Sequence, residues 1–317
     1  MDHHVTETRR DASSSPRPRV SIVGAGRAGS ALAVALRAAG YPITAVHSRS
    51  RDSAAHLASQ VGAEAVSTAS AAARAADVVL LTVPGPQVIP VAATIAATSI
   101  ALPGRVVIHC DGGQGRDALA AIRLTAAAAA AMHPLQALAG EASAPLFRGS
   151  AFAVDADEGA RAVVAAMVLD LGGLAFTVGR EQRALYHAAA VLAGNAPLAL
   201  LSAATGLLEE AGIDAAVAGV GLAALLEGAA HNARRDGVAR ALTGPVVRND
   251  AASVRAHLAA LSEADPRARS LYVQLGAELL EVVGRPGRAE VAAVLDEALH
   301  AEAGQLPDHA PSHATAA

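Results

Sequence analysis

Chemistry in this sequence is concentrated in one glycine-rich turn, one pair of arginines and a few histidines. The run Val20-Ser-Ile-Val-Gly-Ala-Gly-Arg-Ala-Gly29 sets Gly24, Gly26 and Gly29 between a β-branched stretch and a helical one. Gly24 permits a tight turn, Gly26 lets backbone approach a pyrophosphate, and Gly29 allows close helix–sheet packing. Arg27 and Ala28 then open a helix whose N–H groups and dipole suit an anion. The spacing predicts a dinucleotide-binding turn, and the next strand end decides which dinucleotide. His47-Ser48-Arg49-Ser50-Arg51 offers two guanidiniums and two hydroxyls, with no acid before Asp52. A ribose 2′-OH asks for a carboxylate there, whereas a 2′-phosphate suits arginine, so NADP(H) is expected. Val83 and Pro84, ending a later strand, are placed beside the nicotinamide half.

Proton transfer must be done without lysine, because all 25 basic residues are Arg. That removes Schiff-base chemistry and any lysine general acid. Tyr186, with a free pKa near 10, and carboxylates near 4 lie farther from neutral pH than histidine near 6.5, so His187 is expected to be the proton donor, with His133 in reserve. Asn195 is expected to orient the substrate or the carboxamide, although a role at a helix kink stays open. His187 is read as a costly buried imidazole on an apolar helix, and a hydrogen-bonded structural role stays open for it. His109 and Cys110, at a strand end facing the same crevice, are weaker candidates. A single cysteine excludes a disulfide scaffold or a Cys-rich zinc site, and no metal is expected.

These residues need a scaffold. At 317 residues, 53% hydrophobic and 17% charged, the chain suits one large or two medium domains. Aromatics make up only 2%, so the core must be built from Ala, Val and Leu. With a net charge of −4 and few stacking aromatics, no nucleic-acid partner is expected. Residues 1–18 and 304–317 read as polar disordered tails. Between them, residues 19–179 alternate short strands and helices, the signature of a parallel sheet covered on both faces. The Ala-rich stretch near Thr125–Met132 is placed as a strand with helix in competition. Residues 180–303 read as all-helical. Ala184–Glu210 is apolar nearly all round, which favours burial between domains or subunits over a membrane span. A homodimer through these helices and a cytoplasmic location are expected.

Taken together, the G-A-G-R-A-G turn, S-R-S-R, L-T-V-P and His133-Pro134-Leu135 resemble one family. Tyr186-His187 through Asn195 and Ala241-Leu-Thr-Gly-Pro through Asp250 are the more specific motifs. The chain resembles oxidoreductases that join a Rossmann-like domain to a C-terminal helical domain of unknown function. That group lies within the 6-phosphogluconate dehydrogenase-like superfamily. The resemblance implies an NADPH-dependent oxidoreductase acting on a small, carboxylate-bearing substrate, ketopantoate-like by analogy. It also implies a loop carrying Thr243 and Arg248 that meets the substrate, with Arg248 on its carboxylate. Ketopantoate and hydroxyacid relatives pair a helix Lys with Asn, and this chain lacks the Lys. A non-catalytic NADP(H)-binding protein is the competing expectation, and passage of electrons to a second, flavin-like cofactor is a third.

Overall fold

A computed structural model describes residues 16–98 and 102–303. The expectations for residues 1–15 and 304–317 lie outside the described residues. Arg17, assigned to the N-terminal tail, pairs with Asp170 at 3.1 Å and lies over the Tyr41 ring.

The first half alternates strand and helix as its hydrophobic pattern dictates. In chain order come β1 (Val20–Val23), α1 (Arg27–Ala38), β2 (Ile43–His47), α2 (Arg51–Val61), β3 (Glu64–Ala65) and α3 (Ala69–Arg74). Then follow β4 (Val78–Leu81), α4 (Gly85–Thr98), β5 (Val106–His109), α5 (Ala120–Arg123) and β6 (Ala128–Pro134). The sheet is completed by β7 (Ala151–Ala156), α6 (Glu158–Asp170) and β8 (Leu174–Thr177), before α7 (Arg183–Gly194). The eight strands are ordered β3-β2-β1-β4-β5-β6-β7-β8. Both faces are covered, and successive side chains alternate between two cores. Ile22, Val78, Leu80, Ile108 and Met132 pack with α1, α2 and α6. Val23, Val79, Leu81, Val107 and Ala129 pack with α3, α4 and α5.

One strand departs from the expected parallel arrangement: β7 runs antiparallel to β6, whereas β7 and β8 are parallel. The Ala-rich stretch is a strand. Ala126, at φ 61°, stops α5 from continuing, and β6 then pairs on both edges, so tertiary pairing overrides alanine's helix propensity.

The remaining helices are α8 (Ala196–Glu210), α9 (Ala215–Asp236), α10 (Val238–Ala241), α11 (Ala251–Ala264), α12 (Pro266–Val283) and α13 (Ala289–Ala303). Their core is Val254, Leu258, Val273, Leu280, Val291 and Leu295, from α11 to α13. The expected continuous helix over 184–210 is two helices, α7 and α8. Asn195 falls between them and Pro197 sits in the first turn of α8, where its missing N–H costs no hydrogen bond. The chain divides into two compact units at Gly194/Asn195, later than the boundary expected near Gly179–Arg180. α7 falls in the first unit, where Tyr186 meets His133 on β6.

Candidate active site at the C-terminal edge of the sheet

Strands β1, β2, β4, β5 and β6 are mutually parallel, so their C-terminal ends share one edge. The order changes direction between β1 and β4, and a crevice outside such a switch point is where doubly wound sheets take ligands. The glycine turn lies there. Gly24 has φ 115°, and a Cβ on it would lie 2.7 Å from the Thr82 carbonyl oxygen. Thr82, at the end of β4, donates its hydroxyl to the Gly24 carbonyl at 2.7 Å and ties the two strand ends together. Gly26 precedes α1 with no side-chain cap, no acid follows in the first turn, and a Cβ there would meet nothing within 4 Å. The helix start therefore offers free N–H groups and open space, which fits a pyrophosphate.

Beyond β2, Arg49 and Arg51 are exposed, and neither enters an ion pair among the described residues. Ser50 is already engaged, its Oγ accepting from the Ser53 N–H at 3.1 Å as the N-cap of α2. Arg49, Arg51 and Ser48 thus remain as the candidate 2′-phosphate contacts. Val83 and Pro84 follow β4 at the same edge, with Val83 half-buried and Pro84 exposed.

At β5 and β6 the histidines separate by role. His109 is fully buried, its Nε2–H donating to the Gly115 carbonyl at 2.9 Å. Its Nδ1 accepts from the Asp111 N–H at 3.2 Å. Both ring nitrogens are used in the neutral form, and burial lowers the imidazole's pKa, so this is a structural histidine. Burial, with Asp111 adding to it, pushes the Cys110 thiol up to about 12, far from a reactive thiolate.

His133, near the end of β6, brings its Nδ1 to 2.5 Å from the Tyr186 hydroxyl on α7. Burial, helped by the neighbouring His187, pushes its pKa down to about 4 and keeps it neutral. Burial raises the Tyr186 pKa, while the Arg183 guanidinium works in the opposite direction. The His187 ring centroid lies 6.3 Å from that of His133. His187 is exposed rather than buried, which corrects the reading of α7 as an apolar helix enclosing it. The Gly112-Gly113 turn lets these groups assemble: a Cβ at Gly112 would lie 2.9 Å from the His133 ring. An open groove of about 330 Å³ runs beside Tyr186, lined by Phe176, Val178, Gln182 and Leu185.

The structure thus brings His133 and His187 together and adds Tyr186, which the sequence reading set aside because a free phenol has a pKa near 10. The available signal was the adjacent pair Tyr186-His187 on a helix. Asn195, Thr243 and Arg248 belong to the second unit. Asn195 makes no side-chain cap hydrogen bond at the start of α8. Thr243 and Arg248 are exposed, in a loop held by Asn249, whose side-chain oxygen accepts from the Val291 N–H at 3.1 Å. No cluster of three or more metal-ligating side chains occurs among the described residues.

Residues 19–112 match the family model described as NADP oxidoreductase, coenzyme F420-dependent. Residues 150–279 match a domain of unknown function, DUF2520. Among solved structures, protein TM1727 from Thermotoga maritima is 25% identical with a TM-score of 0.68, covering 83% of this chain and 99% of that one. A pyrroline-5-carboxylate reductase from Coxiella burnetii is 19% identical with a TM-score of 0.54, covering 89% and 97%. A reductive aminase from Aspergillus terreus, solved with NADPH and ethyl-5-oxohexanoate, is 20% identical with a TM-score of 0.55, covering 89% and 99%. The last two likenesses are likenesses of fold. A search of curated proteins finds no match.

Proposed function

We propose that this chain is an NADPH-dependent reductase of a C=O or C=N bond in a small molecule. It joins a Rossmann-type NADP oxidoreductase domain to a DUF2520 region, within the 6-phosphogluconate dehydrogenase-like superfamily. The observation that carries the reading is the 2.5 Å contact between His133 and Tyr186, set at the same sheet edge as the glycine turn. The fold's solved neighbours include reductases of C=N bonds, and nothing among them favours a ketopantoate-like substrate.

The Gly24–Gly29 turn and the first N–H groups of α1 hold the pyrophosphate, and Arg49 and Arg51 take the 2′-phosphate. NADPH held there would supply the hydride for the acceptor carbon. Tyr186 gives its phenolic proton to the oxygen or nitrogen that becomes negative as the bond is reduced. His133, neutral with its proton on Nδ1, donates to the phenolate oxygen and stabilises it. His187, exposed at the rim, returns a proton from solvent. Positioned acids of this kind contribute about 10²–10⁴-fold. The test is NADPH oxidation against a panel of cyclic imines and 2-oxo acids, with the Tyr186→Phe variant alongside. Turnover that survives this substitution unchanged removes Tyr186 from the role.

A second copy of the chain completes the assembly in this reading. No residue of α8 is buried and only Ala218 of α9 is, while Leu198, Val217, Val220 and Leu225 are exposed. The span Arg183–Glu210 is long and apolar enough to cross a membrane by length and composition alone. Asn195 and Pro197 interrupt that span, and large exposed apolar surface of this kind also marks a subunit interface, which is the reading we prefer.

A further inference from the structure

Arg183, the first residue of α7, is 4% exposed, and all three of its guanidinium nitrogens lack a hydrogen-bond partner among the described residues. A guanidinium does not give up its proton, so the charge stays when the side chain is buried. A buried, unpaired charge is strongly disfavoured, and such a group normally has an anion beside it. The carboxylates that act on the same histidines as Arg183 are engaged elsewhere. Asp155 pairs with Arg116. Asp111 accepts from the Gly113 N–H at 3.0 Å and forms no ion pair with Arg183.

Tyr186 and His187 follow Arg183 by three and four residues, the spacing that puts side chains on one helix face. The Arg183 charge acts on Tyr186 and on both His133 and His109, so the cation belongs to the same cluster as the candidate proton donor. We propose that Arg183 is the anion-binding residue of this site and takes the carboxylate of a small 2-oxo or 2-imino acid. The planar guanidinium matches a carboxylate with two parallel hydrogen bonds. A carboxylate held there keeps the adjoining C=O or C=N within reach of Tyr186. This assigns to Arg183 the role expected of Arg248. That this acid is the substrate rests on the reductase reading above, whereas the anion site does not.

The test is thermal-shift and calorimetric titration of the full chain without NADPH, using pyruvate, its neutral amide and inorganic phosphate, with chloride as the ionic-strength control. Pyruvate is expected to raise the Tm of the wild-type protein in a concentration-dependent way, and the amide is not. Arg183→Met is expected to abolish the pyruvate effect while melting no lower than wild type, because it removes an unpaired buried charge. Arg183→Lys keeps the charge, loses the fork, and is expected to weaken pyruvate binding about 10-fold or more. Undiminished pyruvate binding in either variant overturns the proposal. A large loss of Tm in Arg183→Met also overturns it, since the guanidinium then has a partner inside the protein. Phosphate binding without pyruvate binding overturns the carboxylate assignment. Pyruvate binding through Arg183 in a protein that never oxidises NADPH keeps the site and removes the reductase reading.

Discussion

His133 Nδ1 and Tyr186 Oη stand 2.5 Å apart, although β6 and α7 are separated in the chain by two further strands and a helix. The contact joins a half-buried imidazole that stays neutral to a phenol whose pKa burial raises, with Arg183 acting the other way. Tyr186 thus keeps its proton until an oxygen or nitrogen of the substrate turns negative, and the imidazole N–H then holds the phenolate from behind. Tyr186→Phe removes only the hydroxyl. We expect kcat to fall at least about 10²-fold with the NADPH dissociation constant unchanged, measured by steady-state kinetics and fluorescence titration.

The depressed pKa of His133 has a consequence for stability. In the unfolded chain the imidazole titrates near 6.5, whereas in the folded protein burial holds it at about 4. Above about pH 6.5 both states are neutral and its stabilising contribution is fully present. Between about pH 6.5 and 4 the unfolded chain takes up the proton first, and that contribution is lost as pH falls. His109, also lowered by burial, acts in the same direction. Urea denaturation across this range should show wild-type stability falling more steeply than that of His133→Asn. Parallel slopes for the two proteins would show that His133 is not held neutral.

Gly112 is required by close approach, since a Cβ there would fall 2.9 Å from the His133 ring. Gly112→Ala should displace the imidazole and lower kcat, while NADPH binding, which uses other strand ends, stays the same. Normal turnover in this variant would mean that the turn relaxes without moving His133.

The nucleotide half was legible in the sequence because its requirements are local. A strand, three glycines and two arginines within some thirty residues fix what the backbone must do at β1–α1 and β2–α2. The proton-handling half was not, because its partners meet only through the sheet. His133 was found by its place after a strand, but its state depends on the burial and neighbours supplied by α7. Tyr186 was discounted on the pKa of a free phenol, and Arg183 carried no signal, since an arginine beginning a helix reads as solvated. A kink at Asn195 was left open but the division into α7 and α8 was not placed, and the antiparallel turn of β7 had no counterpart in the residue pattern.

Arg49 and Arg51 should set cofactor preference. With a charged hydrogen bond contributing about 1.5–3 kcal/mol, NADPH should bind roughly 10- to 100-fold more tightly than NADH. Replacing both arginines with alanine should remove that difference without weakening NADH. Fluorescence titration of the four combinations is sufficient, and equal affinities in the wild type would count against a 2′-phosphate site.

The exposed leucines and valines of α8 and α9 should be covered by a second copy. Sedimentation at micromolar concentration is expected to show a dimer without detergent, and Leu198→Glu combined with Val220→Glu is expected to yield monomers. A stable wild-type monomer, or recovery only in a membrane fraction, would contradict this.

The most direct measurement is isotope transfer from NADPH deuterated at nicotinamide C4, with wild-type protein and Tyr186→Phe against the same imine and 2-oxo acid panel. Deuterium is expected on the carbon of the reduced product, from one face of the nicotinamide, with the rate in Tyr186→Phe lower by at least about 10²-fold. NADPH held tightly without transfer to any acceptor, or equal transfer rates in the two proteins, would contradict it.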